Sequence, residues 1–115
     1  MIAQIPQVDG VTFHAQVLSS PLPVMVEFFS PTCPHCRRMQ PIIESTARNY
    51  ADRVRVVQAN ALQDGELARR FQIYGVPTVV FFVNGTEIDR IVGEVPQEVL
   101  ENHLQEALAR VTQPG

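Results

Sequence analysis

Apolar positions change their period repeatedly along this chain, and each change marks an element. Val24 to Phe29 (VMVEFF) is apolar on both alternating faces except at Glu27, the pattern of a strand covered on both sides. From Pro34 to Asn49 the period lengthens: Met39, Ile42, Ile43, Thr46 and Ala47 recur at helical spacing, and Pro41 inside the run predicts a kink. Val54 to Ala59 (VRVVQA) predicts a second strand, and Asp64 to Phe71 (DGELARRF) a short helix whose acidic start suits the positive end of the helix dipole. Thr78 to Val83 (TVVFFV) and Glu87 to Val92 (EIDRIV) meet at Asn84-Gly85, the dipeptide that most favours a tight hairpin turn, so they should pair antiparallel. The last helix has Pro96 in its first turn and sets Val99, Leu100, Leu104, Ala107, Leu108 and Val111 on one face. A weaker helical pattern spans Thr12 to Leu18, and Thr112 to Gly115 reads as a frayed tail.

The order strand, helix, strand, helix, hairpin, helix gives a parallel pair joined by a right-handed crossover, plus an antiparallel pair. The class is therefore α/β, with a central mixed β-sheet flanked by helices on both faces. A length of 115 residues with 45% hydrophobic content suits a single domain, 1–115, around one buried core. A net charge of −3, with no run of like charge longer than Arg37-Arg38 or Arg69-Arg70, argues against nucleic acid and anionic membrane as partners. The longest apolar runs, such as Val76 to Val83, are too short to span a bilayer, and MIAQIPQVDG lacks the basic and apolar regions of a signal peptide. A cytoplasmic protein is expected. The alternative is a periplasmic or secreted one, since a cleaved signal leaves no trace.

The only two cysteines, Cys33 and Cys36, stand three apart in SPTCPHCRRMQP, Ser30 to Pro41. A bridge across two residues closes almost no loop and so stabilises little. A tetrahedral zinc site needs four ligands, and His14, His35, His103 and the carboxylates form no second pair at ligand spacing. Thiol–disulfide exchange is the leading reading, with no metal and no cofactor. Cys33 lies just past the end of a strand, where open α/β sheets place their chemistry. With Pro34 at the first helical position, Cys33 takes the N-cap place, and the backbone N–H of Cys36 points at its sulfur. The helix dipole favours an anion there by roughly 0.3 to 2 kcal/mol, so Cys33 should ionise below a free thiol. Cys36, shielded in the first turn, is suited to resolve the mixed disulfide that Cys33 forms.

Beyond that pair, the VEFF strand, Pro41, GVPT at Gly75 to Thr78, FFVNG at Phe81 to Gly85 and IVG at Ile91 to Gly93 resemble the thioredoxin family over nearly the whole chain. The resemblance implies the thioredoxin fold and a protein-disulfide oxidoreductase acting on disulfide-bearing protein substrates, with a thioredoxin reductase as electron donor. It implies a cis peptide before Pro77, facing the cysteines, although propensity alone favours trans. It also makes Thr32, Val76, Pro77 and Gly93 substrate-binding positions, where an extended segment adds as a strand. Glu27, by local rules, is either an exposed strand end or a buried carboxylate in need of a partner. The family has a buried carboxylate at the matching position, usually aspartate, that exchanges protons with the resolving cysteine. Glu27 is thereby expected to have a raised pKa and to serve as base for Cys36.

Three departures from the family pattern bear on function. Thr32 stands where the family has tryptophan, and Gln58 where it often has a lysine that pairs with the buried carboxylate; this chain has no lysine. Pro34-His35 replaces the usual Gly-Pro and resembles the dipeptide of strongly oxidising periplasmic disulfide donors. A charged His35 would add a positive charge beside Cys33, and its ring would donate a hydrogen bond to the sulfur; otherwise it is an exposed helix residue. The expectation is a cytoplasmic reductant more oxidising than typical thioredoxin. An exported oxidant or isomerase is the second reading, and a non-catalytic binding module the third.

Overall fold

β2 (Val24–Phe29) lies at the centre of the sheet, as its apolar sequence requires, with every residue but the last buried. A computed structural model describes residues 5–112. In it β2 pairs in parallel with β3 (Arg55–Asn60) and antiparallel with β4 (Thr78–Val83). β1 (Gln7–Val8) adds in parallel outside β3, and β5 (Thr86–Val92) antiparallel outside β4, giving the order β1-β3-β2-β4-β5. This is the expected mixed sheet. β1 is the element not anticipated: two residues show no periodicity, and the segment is fixed by long-range pairing, with Gln58 N–H donating to the Pro6 carbonyl at 3.0 Å.

Strand alternation sorts β2 between two cores. Val24, Val26 and Phe28 pack with Phe13, Val17, Leu67, Val80 and Phe82, beneath α2 (Gly65–Arg70) and a π-helical turn at His14–Leu18. Met25 packs with Met39 and Ile43 of α1 (Pro34–Asn49) and with Leu100 and Leu104 of α3 (Gln97–Thr112) on the opposite face. Glu27, two residues beyond Met25, therefore points into the layer under α1. Helices thus flank both faces of the sheet. The first face is closed by aromatic contacts, Phe13 to Phe71 at 4.7 Å and Phe71 edge-on to Phe82 at 5.7 Å between ring centroids. Among the described residues no helix is long and apolar enough to cross a membrane.

Several boundaries differ from expectation for local reasons. β3 runs one residue later, because the Val54 N–H is taken by the Tyr50 carbonyl at 2.9 Å while Asn60 pairs with Phe29. The weak helical pattern near Thr12 resolves into the π-helical turn, closed by Ser19 N–H to the His14 carbonyl at 2.9 Å. α1 spans its expected residues with Pro41 inside it, the exposed proline lying on the solvent side. In the hairpin Phe81 faces Asp89 and Phe82 faces Glu87, leaving Ile88 as an extra residue in a bulge that the period of two concealed. Val111 was expected on the apolar face of α3 but is 46% exposed. Thr112 closes α3; the rest of the expected tail, 113–115, lies outside the described residues.

Asn84 and Gly85 have φ of 52° and 78°, the paired positive values of a type I′ turn. A Cβ on Gly85 would sit 2.7 Å from the Leu18 carbonyl oxygen, so this turn abuts the π-helical segment too closely for any side chain. Gly85→Ala should therefore cost more than the ~1–2 kcal/mol of the left-handed conformation alone. Urea unfolding reads this directly, and an unchanged midpoint would contradict the close approach.

Candidate active site

The site begins where β2 ends. The connecting turn is tied by the Thr32 N–H to Ser30 Oγ at 3.3 Å and by the Cys33 N–H to the Ser30 carbonyl at 3.2 Å. Cys33 is the N-cap of α1, with extended backbone (φ −86°, ψ 116°), and Pro34 opens the helix. The Cys36 N–H donates to Cys33 Sγ at 3.3 Å, so sulfur takes the place of the usual capping oxygen. The Cys33 thiol in turn lies 3.7 Å from the Val76 carbonyl. Burial works against ionising Cys33. The Cys36 thiol and the backbone N–H groups of Cys36 and His35 outweigh it and hold the Cys33 thiol below its ordinary 9.0. Cys36 is buried, and burial together with its hydrogen bond to Cys33 pushes it up to about 12. Of the two sulfurs, the half-exposed one is the readier anion and the buried one keeps its proton.

Glu27 has no exposed surface. Register brings Gln58 of β3 beside it, and Gln58 Nε2 donates to Glu27 Oε1 at 2.6 Å. The same Nε2 donates to Gln40 Oε1 at 2.7 Å, while Gln40 Nε2 donates to Glu44 Oε2 at 3.1 Å, so a line of amides joins Glu27 to the flank of α1. Among the described residues Glu27 Oε2 has no hydrogen-bond partner. Burial raises Glu27 from 4.5 to about 7, and the Gln58 hydrogen bond opposes the rise only in part. Its charge acts on both cysteines. Gln40 escaped sequence reasoning, since it belongs to the buried side of α1 only through its contact with Gln58.

The other expected site residues collect at the same end of the sheet. Val76–Pro77 is a cis peptide bond, and the Gly93 N–H donates to the Pro77 carbonyl at 2.8 Å. Gly93 has φ of 100°, which explains glycine there. Thr32 is exposed beside Cys33, its hydroxyl 3.1 Å from Ser30 Oγ. Tyr74 (90% exposed) and Val92 (70% exposed) flank this loop as an apolar surface not anticipated from the sequence. His35 departs from expectation. Its ring makes no hydrogen bond to Cys33 Sγ; Nδ1 lies 3.0 Å from Glu94 Oε1 and 2.8 Å from Arg38 Nη2. What His35 brings to the sulfur is its backbone N–H.

The Thioredoxin family model matches residues 4–106. The chain is 39% identical to a thioredoxin of Griffithsia pacifica over 104 residues, covering 90% of this chain and 95% of that one. It is 37% identical to thioredoxin 1 of Synechococcus elongatus, covering 88% and 94%. It is also 31% identical to a chloroplastic M-type thioredoxin of Spinacia oleracea, covering 94% of this chain and 60% of that protein.

The folded chain binds the Glu27 proton more tightly than an unfolded chain does, so Glu27 lowers stability as pH rises from 4.5 to about 7. Over that interval the loss amounts to about 3 kcal/mol. Glu27→Gln should match the native protein in urea unfolding below pH 4.5 and exceed it by about that amount above pH 7. A difference independent of pH would place the native carboxylate in contact with water.

Proposed function

This chain belongs to the thioredoxin family and is a thiol–disulfide oxidoreductase; on that premise we propose that Cys33 attacks, Cys36 resolves and Glu27 takes the resolving proton. The observation that carries the assignment is the 3.3 Å hydrogen bond from the Cys36 N–H to Cys33 Sγ, which favours the anion at Cys33, while burial keeps the proton on Cys36. The Cys33 thiolate attacks one sulfur of a substrate disulfide, forming a mixed disulfide and expelling a substrate thiolate that takes a proton. Cys36 then gives its proton to Glu27 and attacks Cys33 Sγ, which closes the Cys33–Cys36 disulfide and releases the second substrate thiolate to be protonated. The substrate gains two electrons and two protons, and the protein dithiol loses them. A carboxyl titrating near 7 has both forms populated at neutral pH, as a group that accepts and returns a proton requires.

Substrate enters, on this reading, as an extended segment beside Val76, with Thr32, Pro77 and Gly93 around it. Stabilising the Cys33 thiolate favours the dithiol form, and this makes the disulfide a better oxidant than that of a typical thioredoxin. The protein works as a reductant in the cytoplasm, with a thioredoxin reductase returning it to the dithiol. The competing setting is an organelle, since two relatives are named as chloroplastic. A non-catalytic binding module would gain nothing from two thiols displaced in opposite directions.

Cys36→Ser should accumulate mixed disulfides with a reducible protein such as insulin, visible on a non-reducing gel, whereas Cys33→Ser should form none. Equal trapping by the two variants would overturn the assignment of roles.

A further inference from the structure

The exchange steps leave unused a cluster of three side chains beside the sulfur. His35 and Arg38 ride the first turns of α1. Glu94 arrives from the loop between β5 and α3, next to Gly93. Arg38 Nε lies 3.2 Å from both carboxylate oxygens of Glu94, and Arg38 Nη2 lies 3.0 Å from Oε1. The remaining contact is His35 Nδ1, within hydrogen-bond distance of both Glu94 Oε1 and Arg38 Nη2. A guanidinium only donates and a carboxylate only accepts, so Nδ1 meets them by turns. In the neutral ring Nδ1 accepts from Arg38 or donates to Glu94 according to the tautomer; in the protonated ring it donates to Glu94. With the ring neutral, the Arg38 charge is matched by the one carboxylate.

We propose that Glu94 is a positioning residue for the redox couple: by gathering Arg38 and the His35 ring onto itself, it keeps both from pairing with the Cys33 thiolate and limits how oxidising the Cys33–Cys36 disulfide becomes. The inference rests on Cys33 as the attacking thiol. The groups that face Cys33 are Cys36, the His35 N–H and Arg38 from α1, Glu27 from β2, and the Val76 carbonyl from the loop before β4. Among these Arg38 is the standing cation, and it is within electrostatic reach of the sulfur. Glu94 takes its hydrogen bonds and balances its charge. Without the carboxylate, the cluster changes from balanced to net positive, and Cys33 is the adjacent group that gains by ionising. A more stable thiolate favours the dithiol in the exchange of the Cys33–Cys36 disulfide with two glutathione thiols, which yields protein dithiol and one glutathione disulfide. The Pro34-His35 dipeptide thus acts through its backbone, while Glu94 withholds the imidazole that the sequence assigns to the sulfur.

The test uses Glu94→Gln in two forms of the whole chain. In a Cys36→Ser background, ultraviolet thiolate absorbance titrates Cys33 alone; in the dithiol protein, equilibration with glutathione reads the couple. Glu94→Gln should lower the Cys33 midpoint and shift the glutathione equilibrium toward the dithiol by about two- to fivefold, the size of an exposed charge pair. With His35→Ala and Arg38→Met already in place, the same substitution should change neither. An effect that persists in that background means Glu94 acts on the sulfur by its own charge, and overturns the proposal. So does a Glu94→Gln protein that loses stability with both readouts unmoved. If the Cys36→Ser protein alone shows no thiolate below the ordinary thiol range, Cys33 is not the attacking thiol, and the proposal falls with that assignment.

Discussion

Reactivity in this protein depends on one helix beginning at a sulfur atom. The first turn of any α-helix has N–H groups without intrahelical acceptors, and here the donor of Cys36 meets Cys33 Sγ rather than a serine or aspartate oxygen. Everything that fixes this contact lies outside the cysteines. β2 ends at Phe29, the Ser30 turn ties Thr32 and Cys33, and Pro34 starts α1 without spending a donor. An α1 that began a residue later would leave the same Cys-x-x-Cys sequence with its first sulfur uncapped.

The second constraint comes from the sheet. Strand alternation that buries Val24, Val26 and Phe28 against one layer obliges Glu27 to face the other, where α1 carries Cys36. A carboxylate in that layer is unfavourable unless it is protonated or hydrogen-bonded, and Gln58, its register partner, supplies a single neutral donor. A lysine in that place would hold Glu27 ionised. The amide instead leaves it at about 7, with both forms populated at neutral pH. Glu27 thus costs stability as it ionises.

Much of this was legible in the sequence because it is local. The bounds of α1, its N-cap, the Asn84-Gly85 turn and the central strands follow from period and turn chemistry over a few neighbours. The cis bond before Pro77 was not local knowledge, since propensity favours trans; it came from resemblance. Unread were features set by distant partners. β1 exists because Val8 meets Ala59. The Ile88 bulge is a property of the pairing of β5 with β4 and not of either strand's own pattern. The His35 ring turns to Glu94, 59 residues away, and not to the sulfur two residues before it. Gln40 likewise gains its role only when α1 lies over β3. Local chemistry names the reagents, and tertiary placement decides which of them touch.

The helix start and the burial of Cys36 together divide the two thiols into an anion and a proton store. The most direct test is timed alkylation of the reduced native protein over a range of pH, with the label mapped to each cysteine by mass spectrometry. Labelling is expected at Cys33 alone, with a half-maximal rate below the ordinary 9.0, while Cys36, held up toward about 12, stays unlabelled until the chain unfolds. Labelling of Cys36 first, or of both sulfurs together near 9.0, would contradict it.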